Sequence, residues 1–166
     1  MITTPPTKLE PGDPAPDFEA TVVGGEFGHS PVDFRLSSYF GRPIILYFYP
    51  KDDTPGCTTQ ACGIRDQWTN LSKTGTLILG ISTDSIESHQ RFITKHSLPF
   101  ALIADCDKKI VNLYGVWVEK NMYGRKIWGT ERTTYLIGSD GKITHIFRKV
   151  KPDSHVSKIL DVLGRA

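Results

Sequence analysis

Residues 43–62 read PIILYFYPKDDTPGCTTQAC, and this stretch decides the fold. Pro43 to Tyr49 is a near-continuous apolar and aromatic run, the pattern of a strand buried on both faces. A second such run, Thr76 to Ser82 (TLILGIS), lies downstream. Between them Ala61, Ile64, Trp68 and Leu71 recur at helical spacing and predict a helix with one apolar stripe. Strand, helix and strand in that order form a parallel βαβ unit with a right-handed crossover.

Working outward, Phe18 to Val23 and Val32 to Leu36 read as two short strands around a glycine-containing turn. Ser85 to His96 reads as a helix and Phe100 to Ala104 as a strand. Lys108 to Tyr114 reads as a helix stopped at Gly115. Thr134 to Ile137 and Lys142 to Phe147 flank Ser139-Asp140-Gly141 as a β-hairpin, and Ser154 to Leu163 closes as a helix ending at Gly164. The expected class is α/β: three layers, a mixed central sheet and an N-terminal β-hairpin extension. Residues 1–16 carry five of the eleven prolines and predict an extended lead-in laid over the surface. Residues 17–166 are expected to form a single domain, since 166 residues suit one core without disulfide staples.

Composition narrows the function. Hydrophobic residues at 39% and charged residues at 23% describe an ordinary globular chain rather than a disordered one. Twenty basic and 18 acidic residues give a net charge of +2, and Arg148, Lys149 and Lys151 are the only loose basic cluster. That is too little for a phosphate-tracking surface, so neither nucleic acid nor an anionic membrane is an expected partner. No apolar stretch approaches 18 residues and Met1 to Glu10 lacks an apolar signal region, so the expected location is the cytoplasm. In that reducing compartment a close cysteine pair points to catalysis or metal binding.

That pair lies at the strand-to-helix junction. Thr54 and Pro55 suit N-cap and first helical position, which puts Cys57 in the first turn. Free backbone N–H groups and the positive end of the helix dipole favour a thiolate there, so its pKa is expected below the free value of about 8.5. The Thr54 hydroxyl is expected within reach of that sulfur or of an oxygen bound beside it. Cys62 follows five residues later. Five helical residues rise about 7.5 Å and turn about 140°, which separates the two Cα atoms by about 8.7 Å. A disulfide needs less than about 7 Å. The two cannot join in an intact helix, which argues against a static bridge and suits a cycle of oxidation and later resolution. Zinc ligands tolerate the same C-x4-C spacing, but no second pair accompanies it, and His89 and His96 are seven apart. No metal and no cofactor is expected. Asp52 and Asp53 read as a solvated turn without a role. Cys106, between Asp105 and Asp107, reads as structural or incidental, because two carboxylates disfavour its thiolate.

Pro50-x-x-x-Thr54-x-x-Cys57 resembles the active-site signature of the peroxiredoxins. Tyr47 to Lys51, Thr54 to Thr58 and Gln60-Ala61-Cys62 resemble its bacterioferritin-comigratory-protein, or Q-type, subfamily. The likeness continues through Gly80 to Asp84, Tyr114 to Trp117, Glu119-Lys120, Arg132 before Tyr135-Leu136-Ile137, and Asp140 to Ile143. The resemblance implies a thioredoxin-like fold and reduction of hydrogen peroxide and small organic hydroperoxides. It implies that Cys57 is the peroxidatic cysteine and Cys62 the resolving one, joined in an intramolecular disulfide. Thr54 and Arg132 would hold the peroxide and stabilise the thiolate, and Pro50 would shield the site. Spacing alone does not choose Arg132 over Arg125 or Arg65. The resemblance further implies a monomer re-reduced by thioredoxin, sometimes by glutaredoxin. Two other readings stay open at this point: a general thiol–disulfide oxidoreductase, which usually carries C-x-x-C, and a non-enzymatic redox sensor or holdase.

Overall fold

The computed structural model describes residues 8–163. Pro5 and Pro6 of the lead-in and the helix stop at Gly164 lie outside the described residues. The elements are β1 (Glu19–Gly24), β2 (Val32–Arg35), β3 (Ile44–Phe48), α1 (Pro55–Asp66), α2 (Trp68–Ser72), β4 (Leu77–Ser82), α3 (Ile86–His96), β5 (Ala101–Ala104), α4 (Lys109–Leu113), β6 (Trp117–Met122), β7 (Arg125–Thr130), β8 (Thr133–Ile137), β9 (Ile143–Phe147) and α5 (His155–Leu163).

Seven strands form one sheet in the order β2-β1-β5-β4-β3-β8-β9. The three central strands are parallel, with Ile44 opposite Leu77 and Leu79 opposite Ala101, as the βαβ reading requires. Antiparallel strands flank them: β1 against β5, β8 against β3, and β9 against β8. The sheet is therefore mixed, and β1–β2 is the expected N-terminal hairpin. Every residue of β3, β4 and β8 is buried, which is why β3 and most of β4 read as apolar runs, while β8 begins with two buried threonines.

Strand alternation divides the core in two. Ile44, Leu46 and Phe48 face Leu79, Ile103, Val111 and Tyr135 on the α4 side. Ile45 and Tyr47 face Cys57, Ala61, Ile64, Phe92 and Ile159, which α1, α3 and α5 supply. Helices on both faces of the sheet give the three layers.

The chain departs from the sequence reading in two places. The helix predicted through Leu71 breaks at Gln67, whose φ of −104° and ψ of 14° leave the helical region. The apolar stripe nevertheless runs across the break, with Ala61, Ile64 and Leu71 fully buried. Residues 117–130, for which no element was expected, form the separate β6–β7 hairpin. Its strands are largely exposed and lack the apolar alternation that marks a strand. Tyr123 and Gly124 at its turn both have positive φ, 53° and 78°, the condition of a two-residue primed turn.

The described part of the lead-in turns over residues 10–13 and then lies against the start of β9. Gly12 and Ala15 donate to the Ile143 and Gly141 carbonyls, and Ile143 donates back to Asp13. Prolines 11, 14 and 16 interrupt the row of donors that a full strand would need.

Candidate active site

β3 runs straight into the loop that carries the signature residues, and α1 begins at Pro55. Thr54 is the N-cap residue, extended at φ −86° and ψ 156°, but its hydroxyl does not cap the helix. It donates instead to the Lys51 carbonyl at 2.8 Å, closing a turn over Lys51–Thr54. No side chain occupies the first-turn N–H groups, so they remain directed at the region of Cys57, the third residue of α1. Cys57 is 2% exposed. Cys62 lies on the same unbroken helix, partly exposed, and both are free thiols. Pro50 is partly buried between β3 and the turn.

Among the three arginines left open by spacing, Arg132 is the one at the sulfur. Its Nη1 lies 3.5 Å from Cys57 Sγ. The same nitrogen donates to Gln60 Oε1 at 2.6 Å. Arg65 turns away to Asp66 and the His96 carbonyl, and Arg125 sits exposed at the hairpin turn. Gln60 is one turn beyond Cys57 and fully buried, so it fixes the guanidinium from below. Gly56 completes the seat, since a Cβ there would come within 3.2 Å of both Arg132 Nη2 and Pro152 Cγ. A charged donor at hydrogen-bond distance stabilises negative charge on sulfur. Lys120 of β6 adds a second cation nearby. Burial, and next the Arg132 guanidinium, lowers its pKa, and its ammonium donates to the Thr130 carbonyl.

Beneath the sulfur lies a buried polar floor that the sequence did not reveal. Tyr47 and His155 stack at a tilt, with ring centroids 5.5 Å apart. Burial raises the Tyr47 pKa far above 10, with the nearby Cys57 as the next contributor. His155 pairs through Nε2 with Thr134 Oγ1 at 2.7 Å, and burial pushes its pKa down to about 3. The Tyr47 hydroxyl, Gln60 Nε2, His155 Nδ1 and Thr133 Oγ1 have no hydrogen-bond partner. Gly80 makes room for Tyr47, because a Cβ there would lie 2.8 Å from its hydroxyl.

Asp52 corrects the expectation of a solvated turn. It is buried, and its carboxylate receives Tyr49 Oη at 2.5 Å and Ser88 Oγ at 2.8 Å, with His89 Nδ1 at 2.7 Å. Asp53 does remain at the surface, paired with Lys95 and His96. The signal missed for Asp52 is tertiary: its partners lie 36 and 37 residues away on α3. Cys106 is exposed, with its sulfur 3.5 Å from the Asp84 carbonyl. No group of three or more histidine, cysteine or acidic side chains suited to a metal occurs among the described residues. No described helix is long and apolar enough to cross a membrane.

A first-turn cysteine under an arginine, on a mixed sheet of this topology, describes a thiol peroxidase. Residues 11–146 match the AhpC/TSA family, and the chain belongs to it. Within that family it is a peroxiredoxin of the bacterioferritin-comigratory-protein type. It is 47% identical over 152 residues to a putative peroxiredoxin bcp of Coxiella burnetii, covering 92% of this chain and 97% of that one. It is 42% identical over 155 residues to peroxiredoxin Bcp of Bacillus subtilis, covering 93% and 95%. The bacterioferritin comigratory protein of Xanthomonas campestris, solved as trapped intermediate and ligand complexes to explain its alkyl peroxide reduction, matches with a TM-score of 0.80 at 34% identity, over 89% of this chain and 90% of that one. The thioredoxin-like fold expected from the sequence is thus the fold of this chain, and thiol-dependent peroxide reduction is its activity.

Proposed function

We propose that the chain reduces hydrogen peroxide and small organic hydroperoxides through Cys57 and is recycled by thioredoxin. The observation that carries this reading is the 3.5 Å approach of Arg132 to a buried sulfur in a helix's first turn. The Cys57 thiolate attacks the terminal peroxide oxygen. The O–O bond breaks, the leaving hydroxide or alkoxide takes a proton, and the sulfur is left as a sulfenic acid. Arg132 and the first-turn N–H groups stabilise the charge moving onto oxygen. Thr54 supplies a hydroxyl at the rim, and Pro50 keeps bulk water from the sulfur. Cys62 then attacks the sulfenic sulfur, forming the disulfide and releasing water. At an ideal-helix separation of about 8.7 Å this needs the first turns of α1 to unwind. A dithiol such as thioredoxin, or glutaredoxin, takes up the disulfide by exchange. Since both cysteines belong to one helix, the cycle needs no second subunit, and we assign a monomer acting in the cytoplasm.

The test is peroxide consumption driven by thioredoxin, its reductase and reduced nicotinamide. Cys57→Ser is expected to abolish turnover. Cys62→Ser is expected to consume one equivalent of peroxide and then stop. Full activity in Cys57→Ser would overturn the assignment.

A further inference from the structure

The loop before the cysteine helix is held far more firmly than the helix start itself. Asp52 is the centre of the hold. Its carboxylate lies within hydrogen-bond distance of three side chains, from Tyr49, Ser88 and His89, and its backbone N–H donates to Asp84 Oδ2 at 2.8 Å. The His89 side chain is 0% exposed and that of Asp52 4%. The other ring nitrogen of His89 lies 2.9 Å from the Ile103 carbonyl, which can only accept. Nε2 is therefore the donor to that carbonyl. The pair is fully enclosed. The next residue, Asp53, adds Lys95 at 2.7 Å and His96 at 3.1 Å, at the far end of the same helix. From Thr54 onward the picture changes: the first turn of α1 has no side-chain cap, and its tertiary hydrogen bonds come from Arg132.

We propose that Asp52, through its buried pair with His89, is a positioning residue that fixes the upstream boundary of the segment that unwinds during the peroxidase cycle. The proposal rests on the reading above, in which Cys57 must leave its seat to meet Cys62. Asp52 stays on α3 throughout, unwinding begins at Thr54, and the anchored turn returns the sulfur to Arg132 after each reduction. The reach allows this. Four residues beyond Asp53 span about 13 Å when extended. The helical separation of about 8.7 Å exceeds the disulfide limit of about 7 Å by only a couple of ångströms. Release of the anchor is therefore unnecessary for disulfide formation. A loosened anchor would raise the unwound population at the expense of the seated one. The two chemical steps then respond in opposite directions: resolution speeds up, and attack on peroxide slows because the sulfur is less often beside Arg132.

The experiment compares the full chain with Tyr49→Phe, which removes one donor to Asp52 while keeping the ring, and with Asp52→Asn. Amide exchange of the reduced protein is read without peroxide. Residues 54–60 are expected to exchange at least fivefold faster in Tyr49→Phe, with residues 86–96 unchanged. Rapid quenching and mass spectrometry then give the rates of sulfenic acid and disulfide formation. The disulfide step is expected to rise severalfold, sulfenic acid formation to fall, and sulfinic acid at high peroxide to fall with it. Exchange that is unchanged in both variants, or that rises equally in α3, overturns the proposal. So does a parallel fall in both rates, the mark of general destabilisation. Should Asp52→Asn fail to fold, Tyr49→Phe decides. Failure of the peroxidase reading shows separately, as absence of Cys57-dependent peroxide consumption in the wild type, and leaves the exchange result standing.

Discussion

Replacing His155 should make the protein less sensitive to acid, even though it removes a native hydrogen bond. The ring opens α5, is fully buried, and bonds Thr134 through Nε2 while Nδ1 has no partner. Burial first, then the Arg132 and Lys158 charges, lower its pKa from 6.5 to about 3. The folded ring is therefore neutral at any pH near 7, whereas the unfolded ring takes a proton near 6.5. Below that value the unfolded state binds a proton that the folded state does not. Stability is thus lost as pH falls, beginning near the unfolded pKa and ending only at the folded one. Each pH unit in that window is worth about 1.4 kcal/mol. Between pH 7.5 and 5.0 the ring titrates over about 1.5 of those units, a loss of about 2 kcal/mol. His155→Gln keeps a donor for Thr134 and cannot titrate. Urea unfolding at both pH values, for wild type and variant, isolates the effect, because the other titrating groups are common to both proteins. The wild type is expected to lose about 2 kcal/mol more than the variant over this interval. Equal losses, within about 0.5 kcal/mol, would refute the argument that His155 is held neutral by its burial.

Three further outcomes follow from contacts around the sulfur. Arg132→Lys replaces the planar guanidinium, whose Nη1 meets Cys57 and Gln60 while its Nη2 lies against Gly56, with a point charge that lacks this fixed fork; the second-order rate with peroxide should fall about 10- to 100-fold, since charge-assisted hydrogen bonds contribute roughly 1.5–3 kcal/mol. Gly56→Ala brings a methyl group within 3.2 Å of Arg132 Nη2, and because a guanidinium can shift, a fewfold loss of that rate with little change in melting temperature is expected. Gly80→Ala drives a methyl group to 2.7 Å from Leu102 Cδ2 and 2.8 Å from Tyr47, inside the core; it should cost about 1–3 kcal/mol in urea unfolding, and a neutral result would mean that the Tyr47 ring moves freely.

Which parts of this protein are legible from sequence follows from where their determinants sit. The central strands are legible because burial on both faces demands apolar runs, and Ile44 to Phe48 obey that demand without exception. The seat of Cys57 in the first turn is legible because Thr54-Pro55 is local helix grammar. The β6–β7 hairpin is not, because its strands are mostly exposed and carry little apolar pattern; the antiparallel ladder from Trp117–Thr130 to Met122–Arg125 and the positive φ angles at Tyr123 and Gly124 define it only in the folded chain. Arg132 could be matched only by resemblance, since nothing in its spacing separates it from Arg65 or Arg125; contact with a residue 75 positions away does so.

Asp52 shows the limit most clearly. In sequence it is half of an Asp-Asp pair before a helix, and exposure is the ordinary fate of such a pair. Its neighbour Asp53 meets that fate, with φ at 58° and surface ion pairs to Lys95 and His96. Asp52 instead turns inward and is enclosed by α3, because His89 and Ser88 wait there to receive it. Enclosure of an acid is tolerable only when its lone pairs are filled, and here three donors fill them. The same requirement makes the contact sensitive, since removal of one donor leaves a buried acceptor unfilled. A helix start left uncapped and a loop held this firmly are therefore complementary parts of one arrangement. In the cycle proposed above, the firm part would set where the sulfur sits beside Arg132, and the uncapped part would let it leave.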